Sequence, residues 1–303
     1  MTDGTESETH RRNVSELILG CVLKIMVNIV KSIAFIGEKG STLEKARIHC
    51  IMHGTSPQQD VIQGFVQLQN EDGGFPFGMA DGNLSTINET TVALWWMEEL
   101  NSLSSSSAGQ AFSFLLATQQ EDGGWDEDAK IAQYDLPPWI QVGDLKTRLY
   151  LSAYATYWLS VAGYQTQPAF RKGMHYLLRH QDTSGKIFGY LHNTWIAVGV
   201  FLMAGDRYAN VANKGIQALA YQPLSEWEDS QIAWALDCIS RGGLPKDHPF
   251  IASCLDELFR RQKADGSWAS EDGEALGVGA TIQVLKVMKR YGLLSNGWDG
   301  SLE

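Results

Sequence analysis

The feature that most constrains this chain is a short motif that keeps returning. Gln69-Asn70-Glu71-Asp72-Gly73-Gly74-Phe75 comes back about fifty residues later as Gln119-Gln120-Glu121-Asp122-Gly123-Gly124-Trp125. A weaker copy is Gln181-Asp182-Thr183-Ser184-Gly185, and a stripped one is Gln222-Pro223-Leu224-Ser225-Glu226-Trp227. The last copy is Gln262-Lys263-Ala264-Asp265-Gly266-Ser267-Trp268. Self-similarity at a fixed spacing of this size marks a fold of stacked units.

Every copy lies between two helical patterns. The segments 57–69, 108–120, 168–181, 208–221 and 248–262 run up to the Gln. The more apolar segments 86–100, 146–162, 191–204, 228–240 and 277–291 follow. Segments 14–36 and 42–53 supply a sixth hairpin. The turn has a plain physical job: Gly takes positive φ and stops a helix, and Asp bonds nearby amides. The aromatic residue and the Gln then staple neighbouring hairpins together. One hairpin cannot bury its own apolar face, so neighbours must stack. The expected fold is all-α, an (α/α)6 toroid with the apolar second helices as its inner ring.

Bulk properties narrow the function. Apolar residues make up 44% of the 303 and charged residues 19%, enough for a large core. The net charge of -11 leaves no basic stripe for phosphate backbones, so no nucleic-acid partner is expected. The four cysteines, Cys21, Cys50, Cys238 and Cys254, are far apart and read as reduced thiols in a cytoplasmic protein. Residues 1–13 form a polar tail without the features of a secretory signal, 14–294 one domain, and 295–303 a second tail. Lys24, Asn28 and Lys31 put a polar stripe on 14–36. That pattern suits an outer helix of the fold, or a helix lying on a membrane surface, rather than a spanning one.

The Gln-x-x-Asp-Gly-Gly-aromatic motif resembles the QW motif of squalene-hopene cyclases and related class II terpene cyclases, and the repeats of protein prenyltransferase β subunits. The order from Thr86 to Tyr164 is closer to a cyclase: Thr86-Ile87-Asn88-Glu89-Thr90-Thr91, then Gln119–Trp125, then a loop with Pro137-Pro138-Trp139, then a helix from Asp144. The resemblance implies an isoprenoid substrate in a central apolar cavity and an acid-initiated cyclase or isomerase. In that family the middle Asp of an Asp-x-Asp-Asp-Thr-Ala motif supplies the proton. The matching position here is Asn88, which has no such proton, and Glu89 is the carboxylate left in the motif. Glu226-Trp227-Glu228-Asp229-Ser230 offers a second cluster, with Glu228 and Asp229 as donors; acids and Ser also simply favour a helix's first turn.

Around that centre the expected substrate-binding residues are Trp95, Trp139, Arg148, Tyr150, Tyr154, His192, Trp195 and Trp234. Aromatic faces stabilise carbocations, and Arg suits an anionic group. The loop 126–144 reads as a wall or lid of the mouth. Its acids, Asp126, Glu127, Asp128, Asp135 and Asp144, suit either a Mg2+ ion bound with a diphosphate substrate or a solvated charge run. No other cofactor and no structural metal are expected. A zinc prenyltransferase fits poorly, since Asp237 and Cys238 are adjacent and inside a helix, and no metal-ligand spacing links them to His175, His180, His192 or His248. The chain has no room for a second helical domain, so a homodimer or the N-terminal helix is the expected closure of the site. The rival reading is a non-catalytic isoprenoid carrier or interaction scaffold on the same toroid. A glycosidase or lyase of the same barrel type has no motif behind it.

Overall fold

The computed structural model describes residues 27–294. Within them the chain makes six helical hairpins whose odd-numbered helices are outer and even-numbered inner. The outer helices are α1 (Ile29–Lys39), α3 (Gln59–Val66), α5 (Ser106–Ala117), α7 (Pro168–Arg179), α9 (Ala209–Ala220) and α11 (Pro249–Arg261). The inner ones are α2 (Thr42–His53), α4 (Ile87–Glu99), α6 (Leu145–Val161), α8 (Leu191–Met203), α10 (Asp229–Ser240) and α12 (Gly277–Arg290). Each inner helix packs on the next, and α12 returns to α2, so the ring closes. This is the expected (α/α)6 toroid.

The repeated motif builds the seams of the ring. The Gln at the end of one outer helix donates to a carbonyl at the start of the next: Gln69 to Ser107, Gln119 to Ala169, Gln181 to Val211, and Gln262 to Asn28. At each of these seams one glycine has positive φ: Gly73, Gly123, Gly185 and Gly266. A Cβ there would meet the backbone of the next outer helix, at 2.6 Å from the Lys172 carbonyl oxygen in the case of Gly123. The N–H after the glycines donates to a hydroxyl on the following inner helix, Phe75 to Thr90, Trp125 to Ser152 and Trp268 to Thr281. The indoles of Trp125 and Trp268 bond back to Leu115 and Leu258 carbonyls at 2.7 and 2.8 Å. The fourth copy, Gln222–Trp227, has no glycine to permit this approach, and its Trp227 indole nitrogen has no partner among the described residues.

Local departures from expectation are small and have physical causes. Outer helix α3 stops at Val66, because Leu68 and Gln69 turn back onto Phe65 and Val66 before the seam. Between Phe75 and α4 the chain makes a two-stranded hairpin, β1 (Phe75–Pro76) with β2 (Ser85–Thr86), in antiparallel register Phe75 to Thr86. Of the segment expected at 14–36, residues 14–26 lie outside the described residues. The rest belongs to α1, whose Ile33 and Ile36 are buried and whose Asn28 and Lys31 hold the Gln262 seam. No described helix is long and apolar enough to cross a membrane. Cys50, Cys238 and Cys254 are buried free thiols.

Candidate functional site

The six inner helices all begin at one end of the ring, and their first turns surround a cavity of about 630 Å³. Such a volume lies inside the roughly 300–1,000 Å³ range of small-molecule sites. Its wall and floor are aromatic. Trp95 of α4 stacks on Trp234 of α10 with centroids 5.3 Å apart, and Trp96 stands beside them. Tyr150 and His192 complete the wall, and Pro138, Trp139 and Tyr190 form one side of the rim. Of the loop 126–144, Pro138 and Trp139 line the cavity. The loop is anchored by buried Ile131 and Ile140, by Tyr134 stacked on Phe77, and by the Thr147 hydroxyl donating to the Trp139 carbonyl.

The opposite side of the rim comes from residues 270–272, where Ser270, Glu271 and Asp272 reach the cavity. Glu271 is held from three directions. Nε2 of His192 lies 3.1 Å from both of its oxygens, Gln231 donates to Oε2 at 2.7 Å, and its own N–H donates to the Ser230 hydroxyl. Asp272 is exposed at the rim, yet partial desolvation raises its carboxyl above its ordinary range, and the neighbouring Glu271 raises it further, against the pull of His192. Two adjacent carboxyls and an imidazole therefore stand at the mouth, opposite Asn88.

The structure divides the expected site residues. Asn88, Trp95, Trp139, Tyr150, His192 and Trp234 line the cavity. The proposed donors do not. Glu89 bonds the Thr86 hydroxyl and accepts from the Gly78 N–H at 3.2 Å. Glu228 forms a capping box with Gln231 at the start of α10. Asp229 is buried, accepting from Ala269 N–H at 2.8 Å and pairing with Arg261 at 3.2 Å. Only Glu228 serves its helix end; the carboxylates of Glu89 and Asp229 are taken by groups of the adjoining loops and by Arg261. Arg148 turns outward to Asp122 at 2.9 Å and lies over the Tyr176 ring. Tyr154 and Trp195 are packed below and behind the wall, against Trp234 and against Trp227 and His192.

Among the described residues, four of the five loop acids are also occupied, Asp135 being the exception. Asp126 accepts from the Gly143 N–H at 3.0 Å, Asp128 from Lys130 N–H, and Asp144 caps α6 through Lys146 N–H at 2.8 Å. Glu127 is buried at the start of α4, accepting from the N–H groups of Ile87 and Asn88 at 2.8 and 2.9 Å. Burial pushes its carboxyl up to about 8, against the two amides that favour the charged form. Among the described residues no group of three or more His, Cys, Asp or Glu side chains is placed to hold a metal, so nothing in this loop supports the Mg2+ expectation.

Sequence reasoning missed Glu271, Asp272 and Ser270, which lie just past the last repeat, and Arg47 and Gln283 deeper in the cavity. The signal was available for Arg47 alone: an Arg at mid-helix in an inner segment must be paired or face a cavity. Beneath the aromatic floor the ring is filled by charge. Lys286 lies 2.9 Å from Asp237 and 2.8 Å from Glu98, with its ammonium 5.4 Å from the Trp95 ring centre. Arg290 and Arg241 bind the same acids, and Arg47 pairs with Glu99 at 2.6 Å. Burial pushes Arg241 down to about 9, and the neighbouring Arg290 adds to that.

The family description "Squalene-hopene cyclase C-terminal domain" matches residues 46–222. No curated protein sequence matches the chain. Among solved structures, a protein from Actinoplanes superposes with a TM-score of 0.60 at 16% identity, over 87% of this chain and 98% of that one. A type II terpene cyclase from Scytonema, solved with geranylgeranyl dihydroxybenzoate as substrate, gives 0.59 at 16%, over 88% and 97%. An ent-copalyl diphosphate synthase from Streptomyces platensis gives 0.54 at 13%, over 82% of this chain and 50% of that chain. At such identities these structures speak for the shared toroid. The family match spans more than half of the chain, across the hairpins and seams described above, and the chain belongs to the squalene-hopene cyclase C-terminal domain family.

Proposed function

We propose that this protein binds an isoprenoid in the aromatic cavity and isomerises or cyclises it after protonation at the mouth. The observation that carries this reading is one cavity that joins the stacked Trp95–Trp234 pair to the Glu271–His192 pair and the neighbouring Asp272. Asp272 is the acid. Two carboxyls with different surroundings divide the labour of acid and counter-charge. His192 and Gln231 fix Glu271 as acceptor, while Asp272 retains its proton to higher pH than an ordinary Asp. Asn88 beside the mouth provides an amide that orients the substrate rather than a proton.

In the reaction the carboxylic acid of Asp272 gives its proton to one carbon of a terminal double bond. The π pair becomes the new C–H bond, the other carbon becomes a tertiary cation, and Asp272 is left as carboxylate. The next double bond attacks the cation, and the positive charge moves into the cavity, where the ring faces of Trp95, Trp96 and Trp234 stabilise it. A water molecule in the cavity takes a proton from a carbon next to the final cation, the C–H pair becomes the closing double bond, and Asp272 recovers its own proton from solvent. Turnover rises as pH falls toward the Asp272 pKa, because only the protonated form starts the reaction.

The test is incubation of the purified chain with farnesyl diphosphate, geranylgeranyl diphosphate and squalene, followed by product analysis by gas chromatography and mass spectrometry. A cyclic or isomerised product that vanishes in Asp272→Asn and persists in Glu89→Gln supports the reading. Loss in Glu89→Gln alone returns the role to the motif acid. One observation favours a carrier instead: Asn88, the motif residue that faces the cavity, has no proton to give. Tight binding of all three compounds without product from any of them supports the carrier.

A further inference from the structure

The cavity has two chemically different ends. Its mouth carries Glu271 and Asp272, and its inner end carries Arg47 of α2 and Gln283 of α12. Arg47 is 5% exposed, and what exposure it has faces the cavity it lines. Its Nε bonds Glu99 and its guanidinium carbon lies 5.4 Å from the centre of the Trp96 ring. Its two terminal nitrogens have no hydrogen-bond partner among the described residues. Gln283 is 9% exposed and its side-chain amide likewise makes no bond to the described residues. Arg47 and Gln283 stand on neighbouring helices, and their side chains line the cavity with donors that no acceptor among the described residues takes, which leaves them for a ligand.

Charge points the same way. The cluster under the floor holds four cations, Arg47, Arg241, Lys286 and Arg290, against three carboxylates, Glu98, Glu99 and Asp237. One positive charge is left over in this cluster, and Arg47 is its member that faces the cavity; Glu44, one turn away, also lines the cavity, with its carboxylate held by the Ser41 N–H and hydroxyl. Arg presents a planar fork that matches carboxylate and phosphate oxygens.

We infer that Arg47 and Gln283 form an anion subsite, so that the preferred ligand is an isoprenoid with a terminal carboxylate or phosphate that enters anion first. This rests on the cavity reading above and sharpens it. With the anion at the inner end, the distal prenyl unit lies at the mouth beside Asp272, which fixes the substrate's direction. The negative mouth repels the anion from the reverse orientation.

The experiment is titration of the purified full chain with farnesoic acid, farnesyl diphosphate and farnesol, followed by calorimetry. The wild type binds at least one of the two anions tenfold or more tightly than the alcohol. Tighter binding of the acid assigns a carboxylate, and tighter binding of the diphosphate assigns a phosphate. Arg47→Gln brings the anion-to-alcohol ratio close to one. Because that variant leaves Glu99 without its guanidinium, Gln283→Leu is the second arm; it keeps every ion pair and lowers the ratio at least twofold. Equal affinity for alcohol and anions in the wild type, or a ratio unchanged in both variants, overturns the subsite and leaves the cavity reading standing. Failure of all three ligands to bind overturns both.

Discussion

The same six inner helices are built in two ways along their length. Their first turns surround open space lined by rings, with few charges. Their last turns enclose Asp237, Glu98, Glu99, Lys286, Arg290 and Arg241 in one packed ionic cluster. The upper half keeps its shape without a filled centre because its support lies outside, in the seams between outer helices. Each of these seams ties the loop between an outer and an inner helix to the next outer helix. The lower half has no such motif at its loops and is held from within. The contrast teaches that a toroid can afford a cavity only where its perimeter is stapled.

The largest effect should come from breaking the inner cluster. Burial alone would raise the pKa of Asp237, but Arg290 and Lys286 overcome it and hold the carboxyl below its ordinary range. Asp237→Ala leaves Lys286 and Arg290 with Glu98 and Glu99 alone, one carboxylate short in a buried cluster, and should cost about 3 kcal/mol, read from urea denaturation. A loss under about 1 kcal/mol would show that the lower half does not depend on its charges.

The complementary break is at a seam. Gly123 has φ of 93°, and a Cβ would lie 2.6 Å from the Lys172 carbonyl oxygen. Gly123→Ala adds both backbone strain and a backbone clash, and should cost about 2 kcal/mol or more. At Gly82, also at positive φ, a Cβ meets nothing, so Gly82→Ala carries the strain alone and should cost less. Equal costs at the two sites would remove the seam's claim to hold the upper half.

These seams are also what the sequence displayed most clearly. Gly at positive φ, a Gln reaching across and an aromatic folding back are local requirements, so they recur as letters at fixed spacing. The helix pairs and the ring followed from them. The cavity was only half legible. Trp95 and Trp234 lie one and a half to two and a half turns into inner helices and face inward, but Trp195 and Tyr154 on the same kind of helix do not. The phase of a helix buried on all sides leaves no polar stripe to read. Glu89, Glu228 and Asp229 had the right chemistry and the wrong direction, because Glu228 is taken up in the capping box of its helix, while Glu89 and Asp229 accept from the N–H groups of Gly78 and Ala269 in adjoining loops. Glu271 and Asp272 lie in a segment of no recurring pattern, and only ring closure carries it to the mouth.

A smaller effect separates the halves by pH. The charges of the lower half are paired, whereas Glu127 in the upper half is buried with its proton, its pKa pushed from 4.5 to about 8. The folded chain then keeps a proton that the unfolded chain loses, so stability falls as pH rises between those values. The slope reaches at most about 1.4 kcal/mol per pH unit. Urea midpoints measured at pH 5, 6.5 and 8 should decline in the wild type and flatten over that window in Glu127→Gln. A variant that declines as steeply as the wild type would move the titrating group elsewhere.

The smallest effect on stability belongs to the residue with the largest proposed effect on turnover. Asp272 stands at the rim, makes no hydrogen bond through its carboxyl to the described residues, and is more exposed than Glu271. Asp272→Asn should therefore leave the urea midpoint within about 0.5 kcal/mol of wild type. If Asp272 is the proton donor, the same change should lower turnover by roughly 100-fold or more, with substrate affinity kept, because the asparagine has the shape and not the acidity. Product formation and denaturation measured on one preparation decide it. Loss of activity together with several kcal/mol of stability would make Asp272 a support of the rim, and the upper half would then be less free of structural duty than its open centre indicates.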